Sequence, residues 1–219
     1  MGRRSTVDVV SRLYQIQEAV RQRAEEVVAN HPSWPCRKGC DDCCRQLASV
    51  PRVTGEEWQS IAAALSALSD DTAELVRRRI RESADAPRPV ICPLLDRDSG
   101  TCLVYEARPV ACRAYGFYAE REYVLGCSRI ESIGQQFPEV VWGNHAVLED
   151  ELRSLGADAT LPEWLGSENR GGVPNLRRLQ ISLLCRERAV NSDDRRPLRT
   201  PAMAAGIADH AWKLGELPA

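Results

Sequence analysis

The residues best suited to chemistry in this chain are its cysteines, which fall into two groups. The first group occupies a nine-residue stretch with the spacing C-x3-C-x2-C-C, and the second follows 47 residues later with the spacing C-x9-C-x9-C-x14-C. The eight members are Cys36, Cys40, Cys43, Cys44, Cys92, Cys102, Cys112 and Cys127. A short loop cannot bury four thiols in an apolar core of its own. We therefore expect either disulfides or a metal to hold them.

Metal is favoured over disulfides by the expected compartment and by the cysteine count. The first residues carry no apolar stretch of the kind found in secretory signals, and no segment approaches the ~20 apolar residues of a membrane span. A cytoplasmic location, where thiols stay reduced, is therefore expected. The total of nine cysteines is also odd, so internal pairing would be incomplete. The cysteines are predicted to bind zinc, iron or an iron–sulfur cluster.

The adjacent pair Cys43 and Cys44 bears on the number of metal centres. Neighbouring side chains rarely converge on one tetrahedral ion without backbone strain. The two thiols are therefore expected to diverge, either one to each of two centres or with one binding a metal and the other supporting it. Eight thiolates could form two zinc sites or two iron–sulfur clusters, while a single cluster with spare thiols is equally compatible. His31 has no partner at ligand spacing and is expected to be solvated or to cap a helix. Thiolate ligands suit zinc and iron–sulfur clusters equally, so the sequence leaves the metal open.

Signatures of other chemistry are missing or weak. The chain has no H-E-x-x-H, G-x-S-x-G, P-loop or G-x-G-x-x-G motif, so no catalytic residue and no organic cofactor site is assigned. The spacing from Cys36 to Cys43 resembles the radical S-adenosylmethionine signature. That family's barrel needs repeated strand–helix units, whereas the segments flanking this loop are predicted to be helical. The barrel is therefore rejected, and its chemistry is kept only as a minor option.

Composition limits the partners and the core. The chain of 219 residues suggests one domain, and its net charge of -2, from 29 basic and 31 acidic residues, predicts neither a nucleic-acid nor a membrane partner. Aromatic residues make up only 5%, so bound metal would help to offset a core with few large side chains. Several basic residues near the cysteines are candidate counter-charges for thiolates: Arg37, Lys38, Arg45, Arg108 and Arg113.

Helices are predicted to bring the two cysteine groups together. Apolar residues recur at helical spacing over residues 6–29, and prolines after His31 end that helix before the first group. A capping box at Thr54 and Glu57 opens a helical hairpin over residues 54–84. This hairpin runs out and back, so the chain can return to the first cysteines. A small β-hairpin over residues 90–105 is then expected to place Cys92 near Cys102.

The remainder predicts a helical extension. A helix is expected over residues 145–155, a loop over 161–173, a helix from Pro174 that buries Cys185 as a structural thiol, a linker over 191–200 and a last helix over 201–213. The predicted fold is mainly α, with helices around an irregular cysteine-rich metal-binding core and at most a small β-hairpin. We expect a single domain over residues 1–219, its core at about 31–130 and its helical C-terminal extension at about 140–219.

The cysteine pattern and the residues around it resemble a known family. The first group is followed by Cys92-Pro93-Leu94-Leu95 and then by Cys102-x2-Tyr105-Glu106-x-Arg108-Pro109-x2-Cys112-Arg113-x-Tyr115. This combination is similar to the CxxCxxCC, or YkgJ-like, cysteine-cluster proteins. The likeness covers residues 36–127, with three residues in the first gap where the family name has two.

The resemblance implies two functions. CxxCxxCC proteins are associated with zinc or iron chelation, which implies that the eight grouped cysteines are metal ligands. Related cysteine clusters occur in flagellin lysine-N-methylases, which are thought to carry an iron–sulfur cluster. The alternative is therefore an iron–sulfur-dependent protein-modifying enzyme. A site closed by four thiolates at every metal would favour the binding protein, whereas a cleft beside the first group would favour the enzyme.

Overall fold

A 25-residue amphipathic helix, α1 (Thr6–Asn30), opens the part of the chain described by the computed structural model, which covers residues 6–47, 49–121 and 123–168. Its apolar face is buried along the whole length, as the periodicity predicts. The helix ends before His31 and Pro32, and Trp34 in the following turn is almost completely buried. This turn delivers the chain to the first cysteine group.

The predicted helical hairpin is present. A one-turn helix, α2 (Asp42–Arg45), and a short strand, β1 (Arg52–Thr54), precede its two arms, α3 (Gly55–Ser66) and α4 (Asp70–Glu82). The expected capping box at the start of α3 is formed, because the Thr54 and Glu57 side chains each bond the other's backbone N–H. Each arm buries apolar residues at helical spacing, so the pair packs as one unit.

The chain after α4 returns to the first cysteine group. Strands β2 (Leu95–Asp96) and β3 (Thr101–Cys102) form the predicted hairpin with only two residues each. A 3-10 turn over Tyr105–Ala107 and helix α5 (Val110–Ala114) follow. Cys112 therefore lies on a helix, whereas Cys92 lies just before a strand.

The fold contains more strand than the single hairpin expected from the sequence. Strands β4 (Tyr118–Glu120), β5 (Tyr123–Val124) and β6 (Gly143–Asn144) form a three-stranded sheet, in which β4 is antiparallel to β5 and parallel to β6. Strand β7 (Asp158–Thr160) pairs antiparallel with β1. Strands of two or three residues are too short to show an alternating pattern in the sequence. The limit of one hairpin was therefore wrong.

Three helices separate and follow these strands. Helix α6 (Ser128–Gln136) begins directly after Cys127, and α7 (His145–Leu155) begins where predicted, with Asn144 as its N-cap. The loop predicted from residue 161 is instead a helix, α8 (Leu161–Glu168). A second capping arrangement starts it, since the Thr160 N–H and hydroxyl both donate to Glu163. The Thr-x-x-Glu spacing was present in the sequence but was outweighed by Pro162 and the glycines beyond.

Two hydrophobic cores hold the described residues together, and the mainly α class is confirmed. The first core is built from α1, α5, α6 and α7, and the second from α3, α4, α8 and the segment around β2. No helix in these ranges has the length and apolar character needed to cross a bilayer. The predictions for Cys185, for the linker over 191–200 and for the two helices beyond Pro174 lie outside the described residues.

Candidate metal centre

The structure brings the second cysteine group back to the first through backbone hydrogen bonds. Leu47 and Val90 form an isolated antiparallel bridge, and the Cys92 N–H donates to the Cys44 carbonyl at 2.7 Å. The eight grouped cysteines are all free thiols, and all but the buried Cys92 are partly exposed. The out-and-back path of the helical hairpin therefore places residues 44 and 92 side by side, as predicted.

The first cysteine group is a tight turn followed by one helical turn. The Cys40 N–H donates to the Arg37 carbonyl at 3.0 Å, and Gly39 between them adopts φ of 92°. This conformation is readily available to glycine because it has no Cβ. Helix α2 then presents Cys43 and Cys44 with their sulfur atoms 4.0 Å apart. The turn and the helix therefore bring at least the Cys43 and Cys44 thiols within contact of each other.

A cleft of about 530 Å³ lies beside the first cysteine group. One wall is the face of α1 around Val20 and Ala24, and another is the chain over 105–117. Five cysteines line this cleft: Cys36, Cys40, Cys43, Cys112 and Cys127. Cys44, Cys92 and Cys102 lie off its walls and pack against the second hydrophobic core.

Burial and neighbouring thiols together make Cys36 and Cys112 resist ionisation. Burial raises the pKa of Cys36 well above its ordinary value, and the nearby Cys127, Cys40 and Cys43 raise it further. Burial likewise raises the pKa of Cys112, and the nearby Cys43, Cys44 and Cys102 raise it further. These influences connect members of both sequence groups. Cys36 and Cys112 therefore keep their protons at neutral pH in the metal-free protein, because ionising either would bury a charge beside sulfur atoms.

The central pair shows the same behaviour. Contact with the Cys44 thiol and burial raise the pKa of Cys43. At Cys44, contact with Cys43 lowers the pKa, but contact with Cys92, burial and the nearby Cys102 outweigh it and raise the pKa to about 12. Cys44 thus interacts with sulfur atoms of both sequence groups. A cation placed among these thiols would reverse the balance, because it stabilises thiolates.

Two arginines act against this resistance to ionisation. Arg108 is one of the predicted counter-charges. It acts to lower the pKa of the Cys43, Cys102 and Cys112 thiols, which contact and burial raise. Its guanidinium stacks on Tyr105 at 3.7 Å from the ring centroid, and its Nε donates to the Tyr105 carbonyl at 3.1 Å. The Tyr105 ring and carbonyl therefore hold the Arg108 side chain in place.

Arg129 was missed by the sequence analysis. It forms a salt bridge with Asp42 at 2.8 Å, and it opposes the burial that raises the pKa values of Cys36 and Cys40. Its position two residues after Cys127 was the available signal. By contrast, Arg45 pairs with Asp41 at 2.6 Å, and the largely exposed Lys38 lies 3.9 Å from Glu106. Those two predicted counter-charges are held by carboxylates.

Tyr115 is a second group that the sequence analysis did not assign to the site. Its hydroxyl is buried and has no hydrogen-bond partner among the described residues, and it lines the cleft with Cys36, Cys43 and Cys127. Burial raises its pKa, and the nearby Cys127 and Cys43 raise it further. The phenol therefore keeps its proton beside sulfur atoms, which makes it a ready donor to a thiolate.

The donor set fits zinc, iron or an iron–sulfur cluster in its chemistry. All eight candidate ligands are thiols, arginines stand nearby, and the buried Tyr115 hydroxyl has an unused proton. As the side chains stand, no three described His, Cys, Asp or Glu residues are arranged to hold an ion. Rotation of the cysteine side chains must accompany binding. His31, expected to be solvated or to cap a helix, is partly exposed and packs with its ring centroid 4.6 Å from that of Phe137.

A comparison with protein families matches this part of the chain. Residues 35–130, a little under half of the sequence, match the model of the CxxCxxCC family, whose description reads "Putative zinc- or iron-chelating domain". No curated protein matches the chain. No solved structure matches it either.

Proposed function

We propose that this protein binds zinc or iron through its two cysteine groups, a function that the match of residues 35–130 to the CxxCxxCC family model supports. The ligands would be Cys36, Cys40, Cys43, Cys44, Cys92, Cys102, Cys112 and Cys127. The observation that carries the proposal is the close packing of free thiols from two groups 47 residues apart in sequence, made by the return of Cys92 to Cys44. A cation bound by these closely packed thiols would displace their protons and stabilise the thiolates, and with them the folded chain.

The surrounding side chains have distinct tasks in this proposal. The cysteine thiolates would hold the metal, and Arg108 and Arg129 would offset their negative charge. The Tyr115 hydroxyl would donate a hydrogen bond to a thiolate in the cleft. A bound zinc ion would crosslink the chain, whereas an iron–sulfur cluster would add electron transfer. A cytoplasmic location belongs to the same proposal, because the ligands must stay reduced.

The cleft supports a second candidate, the iron–sulfur-dependent protein-modifying enzyme. A purely structural site gains nothing from access by other molecules. Here, however, a volume of about 530 Å³ opens directly onto five candidate ligands. Small-molecule sites are commonly clefts of about 300–1,000 Å³ lined by apolar groups with a few polar ones. The α1 wall of the cleft combines apolar residues with the charged Arg21 and Glu25, and the other walls carry arginines. It could admit a substrate group to a cluster.

Anaerobic purification followed by metal and acid-labile sulfide analysis tests both candidates. Zinc without sulfide would support the binding protein, and iron with equimolar sulfide would support an iron–sulfur centre. A matched sample carrying Cys44→Ser should lose metal, because Cys44 interacts with both cysteine groups. If fresh protein contains neither metal nor sulfide, takes up neither on reconstitution, and keeps its grouped thiols free to react, the proposed function is wrong.

A further inference from the structure

Five of the eight grouped cysteines pack in or against one of the two hydrophobic cores. Cys36 and Cys127 pack against the first core, which contains α1, α5, α6 and α7. Cys44 and Cys102 pack against the second core, and Cys92 is buried within it. Each core therefore holds cysteines from both sequence groups, so the division follows the fold and cuts across the sequence.

The cysteines associated with the first core and those associated with the second form two sets, and the boundary between these sets runs through α2. Cys43 and Cys44 are successive residues of this helix, and successive helical side chains project about 100° apart. Cys43 lines the cleft, whereas Cys44 lies off its walls and receives a hydrogen bond at its carbonyl from the Cys92 N–H. The 4.0 Å between their sulfur atoms would still permit one shared ion, which makes the division a matter for experiment.

Position relative to the cleft separates the cysteines further. Cys36, Cys40, Cys43 and Cys127 line the cleft, with Tyr115 beside them. Cys44, Cys92 and Cys102 are not among the lining residues and pack in or against the second core. Cys112 on α5 also lines the cleft, and Cys43, Cys44 and Cys102 all act on its thiol. Cys112 therefore lies at the boundary, where it can complete a set of four with the three thiols behind the cleft.

We propose that the cysteines form two metal centres with different tasks, an inference that rests on the proposed function. An inner centre of Cys44, Cys92, Cys102 and Cys112 has three of its four ligands behind the cleft and is structural. An outer centre of Cys36, Cys40, Cys43 and Cys127 faces the cleft, where its metal exchanges readily and accepts a small ligand from solution. Both centres take a thiophilic divalent ion, and the ligand admitted to the outer one is a small neutral or anionic donor.

Cobalt(II) binding under anaerobic conditions tests the division, because thiolate-bound Co²⁺ is coloured and can be counted. The full-length protein should bind two equivalents. The variant Cys36→Ser/Cys127→Ser should bind one, and Cys185→Ser, which changes the cysteine outside both groups, should bind two. Imidazole should alter the cobalt spectrum of the full-length protein and of Cys185→Ser. It should change the spectrum of the outer-centre variant much less, since three of the four ligands of the remaining ion lie behind the cleft.

A reciprocal variant and a fold check keep the test decisive. The variant Cys92→Ser/Cys102→Ser should keep one equivalent that still responds to imidazole, and circular dichroism should confirm helical content in every variant. If the full-length protein binds one equivalent that the outer-centre variant loses, the two-centre division is wrong and the proposed function stands. If the full-length protein binds no cobalt, zinc or iron at all, the proposed function fails together with the division.

Discussion

At the scale of single residues, the site depends on groups that are not ligands. The Tyr115 hydroxyl is buried beside Cys36, Cys43 and Cys127 without a partner in the described part of the chain. Burying a hydroxyl without a hydrogen bond costs about 1–3 kcal/mol in proteins. Such a residue weakens the metal-free fold slightly, and it strengthens a state in which a thiolate accepts its proton. The Tyr115 hydroxyl is therefore expected to stabilise the protein only when metal is bound.

Replacing Tyr115 with Phe should separate these two effects. The metal-free variant should be as stable as the parent or slightly more stable, because no hydrogen bond is lost. Its affinity for Co²⁺ should fall by about 10-fold or more, the usual scale for groups that support metal ligands. Chemical unfolding and cobalt titration measure the two quantities. Tyr14→Phe is the matched control, since Tyr14 is 67% exposed on α1, and it should change neither. Unchanged cobalt affinity in Tyr115→Phe would contradict the donor role.

Gly116 sets the space available to Cys36. It adopts φ of 89°, and a Cβ on this residue would overlap the Cys36 sulfur. Gly116→Ala should therefore displace that thiol and reduce metal loading. Gly39→Ala is the matched control, because Gly39 has φ of 92° with nothing within 4 Å of a Cβ. Both variants should lose about 1–2 kcal/mol of stability from backbone strain.

Metal loading should fall substantially only in Gly116→Ala, as read from the cobalt–thiolate absorption per protein molecule. Equal loading in the two glycine variants would mean that Cys36 need not occupy its present position.

At the scale of elements, one carboxylate joins the helical hairpin to the helix that carries Cys112. Glu57 on α3 is buried, and its Oε2 accepts from the Thr54 N–H at 2.8 Å within the capping box. Its Oε1 accepts from the Val110 N–H at 2.7 Å. The first residue of α5 is thereby held on α3. A negative group at a helix start also suits the exposed N–H groups there. The placement of Cys112 thus depends on a residue 55 positions earlier in the chain.

Glu57→Ala should loosen this joint. Losing the hydrogen bonds to a buried charged group, together with the cap of α3, should lower the free energy of unfolding by about 3 kcal/mol. Glu56→Ala, at the adjacent position on the first turn of α3, should cost much less. Urea unfolding of the metal-free proteins gives both values. Hydrogen exchange at Val110 and Cys112 should accelerate in Glu57→Ala alone. Equal effects of the two substitutions would show that the link to α5 carries little energy.

At the scale of the whole molecule, two hydrophobic cores meet where the cysteines lie. Each core is complete enough to bury a full set of helical faces, so the helices need not depend on metal for their burial. The stretch over residues 36–47, which carries the first cysteine group, contributes no buried apolar side chain. We therefore expect metal removal to leave helical content largely intact and to release the cysteine loops first. The thiols themselves determine how the metal-free protein responds to alkaline pH.

The metal-free protein should lose stability as pH rises above 9. The Cys44 thiol has an ordinary pKa of 9.0, which the fold raises to about 12. As pH rises, this thiol ionises first in the unfolded chain, and that ionisation stabilises the unfolded state. The stability from protonated thiols is complete below pH 9 and is lost as pH approaches the folded pKa. At pH 10 the loss is about 1 kcal/mol per such thiol. Unfolding curves from pH 7 to 10 under reducing conditions measure it.

The metal-loaded protein supplies the comparison for this pH prediction. Its thiols have already lost their protons, so its stability should change much less over the same range. Equal pH dependence with and without metal would show that the thiols are not the ligands.

The sequence by itself determined the features that depend on short-range patterns. The 3.6-residue periodicity of α1, the capping box of α3 and the breaker residues around the cysteines act within a few positions. These features predicted the helical hairpin and hence the return of Cys92 to Cys44. The family resemblance rested on residues within one segment, and it was confirmed over residues 35–130. Local patterns sufficed because helix formation depends on bonds between residues four apart.

Only the tertiary structure decided the features that join distant parts of the chain. Strand β1 pairs with β7 more than 100 residues later, and neither has the length to show a strand pattern. The orphaned Tyr115 hydroxyl, the salt bridge of Arg129 to Asp42 and the cleft beside α1 all arise from docking between elements. Burial and electrostatic neighbours depend on which surfaces meet in three dimensions. Residue spacing therefore identified the candidate thiols, whereas the packing of the two cores determines which of these thiols lie together on the same side of the site.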